Sequence, residues 1–417
     1  MSKASTAESK ASTAESKAST AESTASILDR TWIVDSDTHV TEPADVWSER
    51  VPRRYRDSVP KFERNANGQD VWSLDGEHFY TVGVTAFAGW RDVFPNSPST
   101  LDECHPASYD AAARVEYMDA NGIWAQVIYP NVAGFGSQRF LHIKDDELKL
   151  ICVRAYNDWL RDWVSVDPRR YVTIISTPFW DIDATVAEVE RGIAAGHKGV
   201  LFTGEPSRFG LPHLGDHHWD PLWSLAQEAH LPIHFHIGSG DPTSTFTPDR
   251  IAAHGTASTY AYSSVSLFLG NGKQIADLLT SGVLPRFPDL KFVSVESGIG
   301  FIPFVLEAVD YSYLEGRKDR TSQWDLMPSE YFARQVYSCF WFEQYAPTHM
   351  FDTIPVDNVL FETDFPHPTC LYGNIRERVA ESLGGQSDEI QRKILCDNAA
   401  KLYHLDVPTR SVGVRPA

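Results

Sequence analysis

Asp37 and His39 stand two residues apart after an apolar run, Thr31-Trp32-Ile33-Val34, and Glu42 follows three residues later. On a strand, residues two apart project from the same face, so an acid and an imidazole would emerge side by side. Such a pair is half a metal site. It is equally the start of a helix, with Asp or Thr as the cap and Glu42 in the first turn. Three more apolar runs end in the same residue types. His234 and His236 close one, Glu296 closes a second, and Asp364 closes a third with His367 three residues beyond. If four such ends converge, their buried carboxylates repel unless a proton or a cation lies among them. A metal ion meets that need. Imidazoles and carboxylates without a thiolate suit zinc, manganese or iron, held as one ion or as two bridged by carboxylates.

The neighbouring histidines divide by position. His234 reads as a core histidine hydrogen-bonded one layer deeper than His236. His367 falls in a loop at the same end and is a candidate ligand or acid/base group. His217-His218, beside Asp216, precedes a helix start and reads as surface and capping. Lys198 precedes its strand, which argues against a carboxylated bridging lysine.

Each candidate needs an element to carry it. Short apolar runs at 31–34, 123–129, 171–176, 199–202, 232–236, 290–296, 336–342 and 358–364 read as eight strands. Between them, helical patterns fall at 111–121, 145–164, 182–195, 221–228, 274–281 and 301–313, the first stopping at Gly122. Alternation of this kind means a parallel sheet covered by helices. Eight units predict closure into a (β/α)8 TIM barrel, whose chemistry sits at the C-terminal strand ends. An open doubly wound sheet is the alternative, and no Gly-rich phosphate loop follows the first strand to support it.

Two segments lie outside that pattern. Residues 2–8 recur at 9–15 and 16–22 as Ser-Lys-Ala-Ser-Thr-Ala-Glu. With no apolar seam beyond alanine, residues 1–26 read as a disordered tail, leaving 27–417 as the barrel domain. Residues 45–110 read as an insertion at the catalytic face. It is rich in Trp and Pro, with a hairpin turning at Asp75-Gly76 and aromatic residues that could form a lid or meet a second subunit.

Composition narrows the partners. The chain has 417 residues and a formal net charge of -19, from 37 Lys+Arg against 56 Asp+Glu. That balance argues against nucleic acid and anionic membranes, which recruit basic patches, and leaves a small-molecule substrate open. Five scattered cysteines without a CxxC read as reduced thiols, and no signal-type apolar segment or membrane-length run appears. The expected setting is the cytoplasm.

Taken together, Asp35-Ser36-Asp37-Thr38-His39, Pro232 to Gly238, Glu296 to Pro303, Glu362 to His367 and Ile394 to Ala400 resemble the amidohydrolase superfamily. The branch is amidohydrolase family 2, and the likeness spans roughly residues 30–406. The resemblance implies a metal-dependent hydrolase or non-oxidative decarboxylase acting on a small carboxylate or carbonyl substrate. It places the ligands at Asp37, His39, His236 and Asp364, with Glu296, Asp364 or His367 moving protons. Here Asp37 stands where the family's first-strand histidine would be, and Glu296 replaces its sixth-strand histidine. With Glu42 as a further ligand, the set is enriched in carboxylates. That enrichment is similar to the superfamily members that use two metal ions, iron among them, to hydroxylate substrates with dioxygen. Two alternatives therefore stand beside the first: a dinuclear iron monooxygenase, and a structural partner of an active homologue in a homo- or hetero-oligomer.

Overall fold

The computed structural model describes residues 27–74, 76–239, 245–316 and 324–410; the repeat tail and Asp75 lie outside them. In chain order the strands are β1 (Ile33–His39), β2 (Lys61–Arg64), β3 (Asp70–Leu74), β4 (Glu77–Thr81), β5 (Ile123–Tyr129), β6 (Tyr171–Ile175), β7 (Gly199–Leu201), β8 (Ile233–His236), β9 (Phe292–Val295), β10 (Val336–Phe340) and β11 (Val359–Phe361). Eight of them form one sheet in the order β1-β5-β6-β7-β8-β9-β10-β11, and its paired strands run parallel. The sheet closes where β1 meets the segment after β11. Asp364 N donates to Asp37 O at 3.0 Å and His39 N donates to Phe365 O at 2.7 Å. The result is a (β/α)8 barrel, and its seam is the place where two candidate ligand strands touch.

The helices start and stop where their sequences supply caps. Asp110, Asp145 and Asp181 accept from the backbone of the helices Ala111–Asn121, Asp146–Trp163 and Ile182–Ala195, each satisfying a donor that the first turn leaves free. Gly122 ends the first of these in the left-handed conformation, at φ 71°. One helix is far longer than its sequence pattern suggests: Thr256–Thr280 replaces the short 274–281 segment. Gly270, Gly272 and a run of Ser and Tyr mask its apolar periodicity. Gly272 lets the Phe301 ring pack closely, since a Cβ would stand 3.2 Å from it.

Strand alternation builds two cores. Val34, Val127, Tyr129, Val172, Ile174, Leu201, Val293 and Leu360 fill the barrel interior, which Leu402 and Tyr403 close at the base. Ile33, Ile128, Ile175, Val200 and Phe235 face outward into the helical layer. This is the period-two division that a barrel wall requires.

Strands β2, β3 and β4 form a separate antiparallel sheet within residues 45–110. Trp72 of this sheet packs edge-on against Trp47, with centroids 5.2 Å apart. The same segment reaches the β11 end of the barrel, where Phe87 N and Ala88 N donate to Pro366 O. Among the described residues no helix is long and apolar enough to cross a membrane, and all five cysteines are free.

Candidate metal centre

The C-terminal ends of β1, β8, β9 and β11 bring Asp37, His39, His236, Glu296, Asp364 and His367 together, all buried. Their donor atoms fall into two overlapping groups: Asp37, His39, His236 and Glu296, then His39, Glu296, Asp364 and His367. Asp37 Oδ1 lies 3.5 Å from both His39 Nε2 and His236 Nε2. Glu296 Oε2 lies 3.4 Å from His236 Nε2, and Asp364 Oδ1 lies 2.8 Å from His367 Nδ1.

The imidazoles are oriented by what their outer nitrogens meet. His236 Nδ1 faces Ile237 O at 2.9 Å and His39 Nδ1 faces Pro130 O at 3.4 Å. A carbonyl only accepts, so each Nδ1 carries the proton and each Nε2 is left with its lone pair. Those two Nε2 atoms face one another at 3.1 Å. His367 follows the same logic with its nitrogens exchanged. Asn131 donates its amide to Val40 O, leaving Oδ1 to accept from His367 Nε2 at 2.9 Å. His367 Nδ1 therefore turns its lone pair toward Asp364.

Three imidazole lone pairs thus converge on Asp37 and on Asp364 Oδ1, which meet no donor among the described residues, while Thr369 Oγ1 donates to the other Asp364 oxygen at 2.9 Å. Both oxygens of Asp37 are buried with no hydrogen-bond partner among the described residues. Burial holds the carboxyls of Asp37 and Glu296 above the ordinary range, and their neighbouring acids add to it. Burial also holds His39 well below its usual value, helped by His367 and His236. A divalent cation fits this donor set. Two nitrogens held ~2.1 Å from one ion lie roughly 3.0 to 3.4 Å apart across right-angled to tetrahedral geometry. The outer carbonyls and Asn131 supply the anchoring that metal-bound histidines ordinarily have.

Backbone strain contributes to the placement. Glu296 and Asp364 adopt left-handed conformations, at φ 56° and 55°. For residues other than glycine this costs roughly 1–2 kcal/mol each. From these turns the Glu296 carboxylate reaches His236 and the Asp364 carboxylate reaches His367.

Glu42 stands apart from the other expected ligands: it lies outside both groups. Its Oε1 instead accepts from Asn131 N at 2.8 Å and Val132 N at 3.0 Å. The chain leaves the strand after His39, so Glu42 addresses the loop after β5, not the barrel axis. Burial, opposed by those two hydrogen bonds, raises its pKa to about 7. His234 does sit deeper, with Nδ1 2.5 Å from the Tyr129 hydroxyl. His217 is exposed and contacts Asp220 at 2.6 Å, and the Lys198 ammonium donates to Tyr403 O away from the centre.

Three residues at the centre were not singled out from sequence. Asn131 orients His367. Asp35, buried and raised to about 7, accepts from Thr363 across the barrel seam and from Gln126 of the neighbouring β5. Glu362 is fully buried, two residues before Asp364; the period of two on a strand was its only signal. Above the cluster, the Phe135 ring lies 4.2 Å from that of His236, and Phe94 stacks on Tyr260 at 4.4 Å. Tyr260 is raised to about 12 by burial and by Asp364 and Glu296.

A family model described as Amidohydrolase matches residues 34–405. The decarboxylase orsB of Emericella nidulans is 26% identical over 244 residues, covering 55% of this chain and 66% of that protein, just under two-thirds of its length. Amidohydrolase map2389c of Mycobacterium avium subsp. paratuberculosis has a similar structure, with TM-score 0.70 at 22% identity, covering 90% of this chain and 99% of that one. A dihydroxybenzoic acid decarboxylase of Polaromonas sp., solved with bound manganese and 2-nitroresorcinol, has TM-score 0.59 at 16% identity over 90% and 97%. At these identities the structural likeness speaks to the fold.

Proposed function

The chain belongs to the amidohydrolase family, and from that premise we propose that it is a metal-dependent non-oxidative decarboxylase or hydrolase of a small carboxylate or carbonyl substrate. One observation carries the reading: three anchored imidazoles turn their free nitrogens onto Asp37 and Asp364 Oδ1, buried oxygens that meet no donor among the described residues. Asp37, His39, His236 and Asp364 would hold the ion, with Glu296 beside them. A bound divalent ion, manganese as in the Polaromonas structure or else zinc or iron, supplies Lewis acidity toward a substrate oxygen or water.

Decarboxylation is favoured by what the side chains offer. When carbon dioxide leaves, the bonding electron pair stays on carbon, which then needs one proton. Asp364 Oδ1 and His367 Nδ1, 2.8 Å apart, can hold and deliver it, while Asn131 fixes the ring that does so. The Phe135 face and the Phe94–Tyr260 stack form apolar walls that keep bulk water from the reacting carbon and suit a flat substrate. The decarboxylases named above motivate hydroxybenzoates as the first panel. Carbon dioxide release and hydrolysis would be measured on manganese- or zinc-loaded protein. Release from at least one hydroxybenzoate is expected, and fully metallated protein inert across the panel would overturn the reading.

A second reading, a dinuclear iron monooxygenase, is favoured by one feature: Glu296 belongs to both donor groups, and a carboxylate could serve two ions where the single His39 Nε2 lone pair serves one. Substrate-dependent oxygen uptake with ferrous iron and a reductant tests it. The third, a structural partner subunit, requires purified protein without stoichiometric metal.

A further inference from the structure

Glu362 is buried beside the centre, and the chemistry above does not use it. Its Oε2 accepts from the backbone N–H of Glu296 at 3.2 Å, while Oε1 is buried without a hydrogen-bond partner among the described residues. Glu343, beyond β10, takes the far end of the same turn. Its carboxylate accepts from Ile299 N at 2.8 Å and from Gly300 N at 2.7 Å. It also fills the space beneath: a Cβ at Gly298 would stand 2.8 Å from Glu343 Oε2. Between these two anchors Glu296 keeps its left-handed backbone, at φ 56°.

We propose that Glu343 and Glu362 clamp the Glu296–Gly300 turn, and that Glu362 is the positioning residue that sets where the Glu296 carboxylate meets the metal. The physical reason is local. A left-handed glutamate has nothing intrinsic to keep it there and persists only where its surroundings over-determine it. Without Glu362, the Glu296 N–H would be a buried donor lacking its acceptor. The backbone would relax toward an ordinary conformation, carrying the Cα–Cβ direction with it. The Glu296 carboxylate would then leave its 3.4 Å contact with His236 Nε2. Glu362 also precedes Asp364 by two residues, so one side chain ties the β9 turn to the β11 ligand.

This inference rests on the metal-centre reading, and its test separates the two. Cobalt(II) affinity by chelator competition and the visible spectrum of the cobalt protein would be recorded on the full chain, with kcat and KM where a substrate has been found. Wild type, E362Q, E362L and E343A would be compared. Gln keeps an acceptor for Glu296 N–H, and Leu removes it. E362Q should retain the wild-type spectrum with affinity within ~3-fold, whereas E362L should bind ~10- to 100-fold more weakly with an altered spectrum and lose kcat more than KM. Should E362L not fold, E343A, which loosens the turn from outside the barrel, should show the same spectral change with a smaller loss. Wild-type affinity and spectrum in E362L or, failing that, in E343A would overturn the clamp alone. A wild-type protein that binds no cobalt would overturn the metal-centre reading and the clamp with it.

Discussion

The Nε2 atoms of His39 and His236 face each other at 3.1 Å, while their Nδ1 atoms are held by the carbonyls of Pro130 and Ile237. Two lone pairs at that distance repel, and Asp37 adds an unpartnered carboxylate to the same space. The fold spends stability to assemble this arrangement and recovers it when a cation enters.

Chelation should therefore lower the melting temperature, and manganese or zinc should restore it. At free metal near 1,000 times Kd the gain is about 4 kcal/mol. Differential scanning fluorimetry with and without EDTA checks this. A Tm that ignores both additions would contradict it.

Asn131→Leu removes the acceptor that fixes the His367 tautomer. Asp37, His39, His236 and Asp364 keep their partners, so metal affinity should weaken by no more than ~10-fold, and turnover is compared at saturating metal. Turnover should fall by ~100-fold or more, with KM little altered. Undiminished kcat would separate His367 from proton transfer.

Glu42→Gln tests the reassignment of that acid. Burial raises the Glu42 carboxyl from 4.5 to about 7 in the folded chain. The folded state then binds the extra proton between those values, so its stability falls as pH rises through that window. Gln removes this dependence. Relative to wild type, the metal-free variant should gain up to about 3 kcal/mol between pH 4.5 and 7, with no further change above. Urea midpoints at pH 4.5 and 7.5 measure it, and a difference that is constant with pH would refute the buried-carboxyl account.

Much of this architecture was legible because its local signals agree. Asp110 opens a helix and Gly122 closes it where capping chemistry predicts, and short apolar strands between such helices leave few topologies besides a barrel. Asp37, His39, His236 and Asp364, the proposed ligands, follow from asking what each strand carries at its end, and the fold brings them together. Glu42 misled because periodicity stops at His39, and nothing local reveals where the chain turns next. Glu362 looked like part of a strand; its role depends on the left-handed turn at Glu296, for which a glutamate gives no local cue. The helix Thr256–Thr280 reads short in sequence because Gly270 and Gly272 interrupt its apolar periodicity, and only Gly272 has a tertiary contact, with Phe301, beside it.

Overpacking gives a check on the interior. Gly199 has no room for a side chain, since a Cβ would stand 2.7 Å from both His234 Nε2 and Ile174 Cδ1. Gly199→Ala should cost about 1–3 kcal/mol by chemical denaturation. An unchanged midpoint would mean that the His234 layer is loose.

The most direct measurement is elemental analysis of the purified chain after manganese loading and desalting, beside the His39→Ala/His236→Ala double variant. The account predicts one or two equivalents of metal in the wild type and less than ~0.1 in the variant. Equal, substoichiometric metal in both folded proteins would contradict it.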